Sequence, residues 1–103
     1  ILINHFPFFP TSSSRKRLVR GKELENIIRK FPSILFYLHG HTHKQSLLDM
    51  RLEGLPIILD SGSTADKKRG SWNLIDLCSK SPSVSLYSWK EEWKENYKMS
   101  FTL

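Results

Sequence analysis

The segment SILFYL, residues 33–38, is apolar over almost its whole length and lies between Pro32 and a histidine-rich stretch. A continuous apolar run of this length is typical of a β-strand that is buried on both faces. Such strands occur mainly in parallel sheets, where connecting helices cover the two faces. The run therefore predicts a central strand of an α/β fold.

Two elements upstream complete a β-α-β unit. The apolar ILIN at residues 1–4 predicts a short buried strand. In GKELENIIRKF, residues 21–31, apolar side chains recur at i, i+3, i+4 and i+7, which gives a helix one apolar face, and Pro32 ends it. Two strands joined through one helix run parallel, so we expect their carboxyl ends to lie at the same edge of the sheet.

The downstream half predicts antiparallel strands. Residues 45–63, QSLLDMRLEGLPIILDSGS, divide at Glu53-Gly54 into a hairpin. Residues 72–78 and 84–90, WNLIDLC and VSLYSWK, alternate apolar and polar side chains on either side of a short turn. The predicted order is therefore β-loop-α-β followed by antiparallel strands.

Length and composition fit one small unit. The chain has 103 residues, of which 39% are hydrophobic and 12% aromatic, enough for a packed core. No apolar run reaches the roughly 20 residues of a membrane span, and a single cysteine, Cys78, cannot form an internal disulfide. We expect a cytoplasmic protein, with a peripheral position at a membrane left open. Because ILIN has no initiator Met, we also expect the chain to be part of a longer protein.

The net charge of +6 raises the question of an anionic partner. The basic residues fall in the predicted loops RKRLVRGK and DKKRG and in the tail KEEWKENYK, where acidic residues are interleaved. Solvated loop charge and charge that holds an anionic ligand both fit this layout. Nucleic acid is disfavoured as the main partner.

Three of the four histidines lie within five residues, in LHGHTHK. Imidazole is a common ligand of divalent metals, and His41 and His43 can aim at one ion or at two neighbouring ions. His5 follows the first predicted strand and would emerge at the same sheet edge, where open α/β sheets bind ligands. Taken alone, a histidine beside an apolar strand is more often a structural residue. Together they predict His5, His41 and His43 as ligands, with His39 hydrogen bonding behind them.

The segments LINHFPF, LHGHTH and ILDSGST, in this order, resemble the last part of the calcineurin-like metallophosphoesterases. The resemblance covers about residues 1–90 and implies the C-terminal half of a two-sheet sandwich flanked by helices, followed by a charged and aromatic tail at 91–103. It also implies two divalent ions, Mn²⁺ first, with Fe or Zn²⁺ as alternatives. His5 and His41 resemble ligands of one ion, and His43 resembles a ligand of the other.

Three upstream motifs of that family, Asp-x-His, Gly-Asp-x-x-Asp and Gly-Asn-His-Asp/Glu, do not occur in the chain. LINHF is not the last of these, since no Gly precedes Asn4 and no acid follows His5. The resemblance thus implies that the parent protein hydrolyses a phosphodiester or pyrophosphate and that this chain supplies its last metal-binding histidines but no catalytic residue. We expect the chain to need the N-terminal half of the domain as its partner and to be inactive alone.

Only residues in the predicted loops give information about the class of substrate. Arg69 in TADKKRGSW is a candidate phosphate ligand, with a solvated loop position as the alternative. Phe6, Phe8 and Phe9 are candidates for an apolar lip, with a core position or a subunit contact as the alternative. The loops resemble those of bacterial UDP-diacylglucosamine pyrophosphatases of the same family, which implies a nucleotide sugar or lipid precursor as the anionic phosphoester substrate.

Two other functions fit the same sequence. The first is an interaction module that has the metallophosphoesterase fold and no catalytic activity. The second is a nuclease-type or nucleic-acid-binding relative, which only the basic charge supports.

Overall fold

A computed structural model describes residues 1–8, 19–66, 68, 70–78 and 80–103. The described elements, in chain order, are β1 (Leu2–Ile3), α1 (Gly21–Arg29), β2 (Phe36–His39), β3 (Ser46–Asp49), a short 3₁₀ helix (Arg51–Glu53), β4 (Ile57–Asp60), β5 (Ser71–Asp76), β6 (Ser83–Trp89) and β7 (Trp93–Ser100). The strands form a first sheet, ordered β1-β2-β4-β3, and a second sheet, ordered β5-β6-β7. The predicted α/β class is therefore confirmed.

The first sheet contains the predicted β-α-β unit, but β1 is an edge strand with Ile1 58% and Ile3 73% exposed, so the burial predicted for ILIN is wrong. β2 pairs in parallel with β1 on one side and with β4 on the other, and β3 runs antiparallel to β4. The continuous apolar run thus occupies an interior strand, as its composition predicts. The hairpin expected in residues 45–63 is formed by β3 and β4, with the 3₁₀ helix in its turn.

Alternate residues of β2 serve two separate cores. Tyr37 packs with Ile28 of α1 on one face of the first sheet. Phe36 packs with Val84 of β6 and with Phe101 on the other face, where the two sheets meet. Burial on both faces explains why the strand has no polar alternation.

Helix α1 begins at a glycine for a steric reason. A Cβ atom on Gly21 would overlap the carbonyl oxygen of Phe8, so only glycine allows the helix to start so close to that backbone. The helix ends at Arg29, two residues before the predicted end. There the backbone amides of Lys30 and Phe31 donate to carbonyls three residues earlier, which tightens the last turn.

The aromatic residues after β1 have different positions. Phe8 is buried against Tyr37, with ring centroids 4.8 Å apart, so the core alternative holds for Phe8. Phe6 is partly buried, and Phe9 lies outside the described residues.

The last part of the chain belongs to the second sheet. β7 pairs along β6, and Phe101 directly after it is 2% exposed in the core between the sheets. A division between residues 90 and 91 stays a prediction. Within the described residues, no helix combines the length and apolar character that crossing a bilayer requires.

Burial of Tyr37 predicts a loss of stability at high pH. Its hydroxyl donates to the carbonyl oxygen of Phe6 at 2.7 Å. Burial raises the pKa of Tyr37 to about 12, while a hydrogen bond with Asn4 acts in the opposite direction. An unfolded tyrosine has a pKa of about 10, so the folded state holds the proton more tightly. The resulting stabilisation is complete below pH 10 and is lost as the pH rises towards 12.

The measurement is the free energy of unfolding against pH, between pH 8 and 11, for wild type and Tyr37→Phe. We expect the variant to be less stable by about 1 kcal/mol at pH 8, because it lacks the hydrogen bond. Its stability should then fall less steeply than that of wild type above pH 10. Equal slopes for the two proteins would contradict the assignment.

Candidate metal site at the edge of the first sheet

The carboxyl ends of β1 and β2 bring two histidines together, as the sequence predicts. Nε2 of His5 lies 3.1 Å from Nδ1 of His41, and the ring centroids are 5.0 Å apart. The ring of Phe6 packs against both imidazoles, with centroids 4.9 Å from His5 and 4.6 Å from His41. The two histidines are 36 residues apart in sequence, so strand pairing alone accounts for their proximity.

The backbone ladder continues beyond the strands and fixes this pair. The amide of Asn4 donates to the carbonyl of Leu38, and the amide of Gly40 donates to the carbonyl of His5, both at 3.0 Å. His5 is therefore held beside the turn that carries His41. This pairing sets the backbone of both histidines before any ligand is bound.

The loop after β2 has an uncommon backbone conformation. His41 has a φ of 69° and His43 a φ of 60°, both in the left-handed region. Histidine adopts this region more often than most residues, yet the conformation still costs free energy. Two such residues within three positions set the direction of each imidazole in a way that the sequence spacing does not reveal.

The two nitrogens of the His5–His41 pair are at hydrogen-bonding distance, and their separation is also close to that of two ligands of one ion. Two nitrogen ligands at about 2.0–2.1 Å from a tetrahedral ion lie about 3.3–3.4 Å apart. The observed 3.1 Å between the two nitrogens needs only a small adjustment to match. Neutral imidazoles are also suitable donors for Zn²⁺, Mn²⁺ and Fe. Among the described residues, however, no group of three or more His, Cys, Asp or Glu side chains is placed to hold a metal ion.

A buried carboxylate lies directly behind the histidines. Asp60 ends β4, is 0% exposed and stands opposite His39 in the parallel register of β2 and β4. Its Oδ1 accepts from the amide of Gly62 at 2.8 Å, and its Oδ2 accepts from the hydroxyl of Thr42. Asp60 thus links the loop of residues 40–44 to the loop that follows β4.

His39 is buried between the backbone of Gly40 and the carboxylate of Asp60. It is 7% exposed, and its Nδ1 lies 3.0 Å from the carbonyl oxygen of Gly40 and 3.6 Å from Oδ2 of Asp60. Because a carbonyl can only accept, the contact with Gly40 assigns a proton to Nδ1. The role of His39 behind metal ligands stays a prediction.

The structure adds residues that the sequence did not single out. The only sequence signal for Asp60 is that it is an acidic residue at the end of an apolar strand. Its contacts depend on the pairing of β2 with β4, which the local sequence does not show. Nε2 of Gln45 lies 3.0 Å from the carbonyl of Trp72 and 2.8 Å from Oδ1 of Asn73. Gln45 thereby connects the loop beside the histidines to the second sheet, and no local sequence pattern indicates this.

Two further predicted site residues, His43 and Arg69, stay predictions. His43 is exposed, and it joins no metal-binding cluster in the part of the chain that the structure describes. Arg69 lies outside the described residues, so its contact with a phosphate stays a prediction.

Comparisons with known proteins support the fold. No family model matches the sequence, and no curated protein matches it. Among solved structures, wild-type Vps29 from Entamoeba histolytica in complex with Zn²⁺ aligns with a TM-score of 0.57 and 19% identity over 79% of this chain and 47% of that one. Vps29 from Chaetomium thermophilum aligns with a TM-score of 0.56 and 14% identity over 97% and 55%.

The chain spans about half the length of these structures. At such low identities the likeness concerns the fold. The chain has the mixed α/β fold of the metallophosphoesterases, as the three sequence segments predicted.

Proposed function

We propose that the protein containing this chain binds divalent metal ions at the His5–His41 pair and hydrolyses a phosphodiester or pyrophosphate. The observation that carries the proposal is the 3.1 Å separation of two imidazole nitrogens at the carboxyl edge of parallel strands. The metallophosphoesterase fold supports it, as does the Zn²⁺ complex of the Vps29 neighbour.

His5 and His41 would hold one ion, and His43 would contribute to a second. The remaining ligands, including carboxylates, would come from outside the chain. Bound divalent ions activate water and offset the charge that develops on phosphorus. The chain itself positions the imidazoles: the Asp60–Thr42 hydrogen bond and the buried His39 hold the loop between them. Mn²⁺ is the first candidate ion, and Zn²⁺ and Fe are the alternatives.

The test is metal-dependent release of nitrophenol from bis-nitrophenyl phosphate by the whole protein. We expect turnover with Mn²⁺ or Zn²⁺, its loss after chelation and its return when the ion is added back. Calorimetric titration with the same ions measures binding separately. Metal binding without turnover would favour a non-catalytic module, and absence of both would overturn the proposal.

The second candidate is a non-catalytic interaction module. Both edge strands of the first sheet carry exposed apolar side chains: Ile3 of β1 is 73% exposed, and Leu48 of β3 is 45% exposed. An apolar edge strand is suited to pairing with another strand, from a partner or from the rest of the same protein. A nuclease-type function rests on the net charge of +6 alone.

The substrate is proposed to be an anionic phosphoester, with a nucleotide sugar or a lipid precursor as the finer possibilities. In this proposal Arg69 binds a phosphate. Arg69→Ala is then expected to lower kcat/KM by an amount equivalent to about 2–4 kcal/mol, because a charged hydrogen bond to phosphate is lost. Lys68→Ala is the matched control, and the melting temperature should stay constant in both. An unchanged kcat/KM in Arg69→Ala would assign Arg69 to the solvated loop.

A further inference from the structure

Four aromatic side chains form a continuous row on one face of the second sheet. Trp72 stacks on Tyr87 with ring centroids 4.2 Å apart and an interplanar angle of 3°. Trp93 meets Trp72 edge-on at 6.2 Å, and Trp89 meets Trp93 at 5.3 Å and 71°. In the strand register, Trp72 stands opposite Tyr87 and Trp89 opposite Trp93. We call these four residues the aromatic row.

The aromatic row points away from the core. Ile75 and Val84 are paired in register and pack between the sheets. Trp72 lies three positions before Ile75, and Tyr87 lies three positions after Val84, so both occupy the opposite face of their strands. The row is therefore not part of the packing that joins the two sheets.

One end of the row forms a recess. Trp89 and Trp93, together with Thr64, Ala65 and Asp66, line a space of about 320 Å³. Trp89 is 42% exposed and Trp93 is 40% exposed, so both indole faces remain partly accessible. We call this space the tryptophan recess.

Close packing of a loop builds the recess. The amide of Trp89 donates to the carbonyl of Gly70 at 2.9 Å. A Cβ atom on Gly70 would lie 3.3 Å from the Trp93 ring and 3.1 Å from the carbonyl oxygen of Asp66. The absence of a side chain at this position lets Trp93 lie on the loop.

The lining of the recess suits a planar ring with polar edges. A nucleobase that stacks on an aromatic side chain gains about 1–3 kcal/mol. Asp66 and Thr64 contribute polar groups at the wall, of the kind that hydrogen bond with base edges. A purely apolar partner would bury these polar groups.

The loop after β4 contributes residues both to the histidine edge and to the recess. Ser61 lines an open depression together with His5 and His39, while Thr64 lines the recess. Consecutive Cα atoms are about 3.8 Å apart, so the Cα atoms of Ser61 and Thr64 are separated by roughly 11 Å at most. This short segment is the part of the described chain that connects the depression at His5 with the recess.

We propose that the tryptophan recess binds the nucleobase of a nucleotide-type substrate whose phosphate lies at the His5–His41 pair. The position of the phosphate rests on the proposed function, whereas binding of the base does not require metal. A structural role of the tryptophans is the alternative. They flank a tight turn closed by the amide of Lys90 and the carbonyl of Glu92, and cross-strand aromatic pairs stabilise hairpins.

The variants are chosen to separate these two roles. Ala65→Phe fills the recess from the loop side and leaves both tryptophans in place. Trp93→Ala removes a stacking face, and Trp93→Phe keeps one. Tyr97→Ala is the control, because Tyr97 is an exposed aromatic residue on the other face of the same sheet.

The experiment is calorimetric titration of the whole protein, in the presence of a chelator, with AMP, UMP, adenosine and uridine. Ribose 5-phosphate and phosphocholine are the comparison ligands. We expect saturable binding of a nucleotide and its nucleoside, weakened about tenfold or more in Ala65→Phe and Trp93→Ala. Trp93→Phe and Tyr97→Ala should stay within about threefold of wild type. Melting temperatures identify any variant that has lost its fold.

Several outcomes would overturn the inference. These are no saturable nucleotide binding, equal binding of ribose 5-phosphate, binding of phosphocholine alone, or an unaffected affinity in Ala65→Phe. Because the titration contains no metal, nucleoside binding in a protein without phosphoesterase activity would support the recess and refute the proposed function. Hydrolysis of bis-nitrophenyl phosphate without nucleotide binding would refute the recess alone.

Discussion

Replacing His41 by asparagine or alanine is expected to lower the proposed metal-dependent phosphoesterase activity of the whole protein by about a hundredfold or more. Loss of even an outer-shell partner of a metal ligand costs about 10- to 100-fold in affinity or activity. His41 contributes one of the two nitrogens that lie 3.1 Å apart, and His5 cannot replace it. The measurements are kcat/KM at saturating Mn²⁺ or Zn²⁺ and the affinity for each ion.

Both substitutions remove the imidazole of His41, but they differ in how much free energy the left-handed backbone conformation costs. Asparagine tolerates the left-handed conformation of position 41 better than alanine does, so His41→Asn separates loss of the imidazole from strain. Lys44→Ala, in the same loop with an exposed side chain, is the control and should retain activity. Near-wild-type turnover of His41→Asn at saturating metal would refute the assignment of His41 as a ligand.

Asp60→Ala is expected to lower the free energy of unfolding by about 2–5 kcal/mol, because two partly buried donors lose their acceptor at about 1–3 kcal/mol each. The carboxylate accepts from the amide of Gly62 and from the hydroxyl of Thr42 and is 0% exposed. The measurement is denaturant unfolding at constant m-value. Asp60→Asn keeps the shape and part of the hydrogen bonding, and its loss should be intermediate.

Asp49→Ala provides the matched control for Asp60. Asp49 is also at a strand end, but it is exposed, and it pairs with Arg51 at 2.8 Å. The Arg51 guanidinium lowers the pKa of that carboxylate, mainly through its side-chain hydrogen bond. Exposed ion pairs contribute about 0–1 kcal/mol. If Asp60→Ala and Asp49→Ala lowered the free energy of unfolding equally, burial of Asp60 would not add to its contribution to stability.

The sequence predicts the β-α-β unit and the proximity of His5 to His41 for the same reason. An interior parallel strand must be apolar on both faces, and the run at residues 34–38 has that composition. A parallel strand pair then has its carboxyl ends at one edge. These two constraints place His5 and His41 at the same sheet edge, and the two imidazoles are in contact there.

Features that depend on non-local register were not predictable in this way. The role of Asp60 requires β4 to lie beside β2, although β3 comes between them in the sequence. The aromatic row joins four residues from three strands, and an irregularity at Leu86/Tyr87 shifts the register of β7. Local alternation cannot place such residues, because each depends on how a neighbouring strand is aligned.

The direction of the His43 side chain could not be predicted from the spacing of the histidines either. Two histidines one residue apart can aim at one ion or at two neighbouring ions, and the spacing alone does not decide between these. With positive φ at both positions, the spacing no longer determines where each side chain points. The sequence could therefore indicate a histidine cluster without indicating which of its members converge.

The backbone of the histidine loop implies a conflict between thermostability and metal affinity. Gly40 does not have a positive φ, whereas both histidines of the loop do. Residues held in the left-handed region cost of order 1–3 kcal/mol, and glycine would relieve that cost at either position. Directed evolution that scores only heat resistance is expected to replace these two histidines early, and such a stabilised protein should bind metal more weakly.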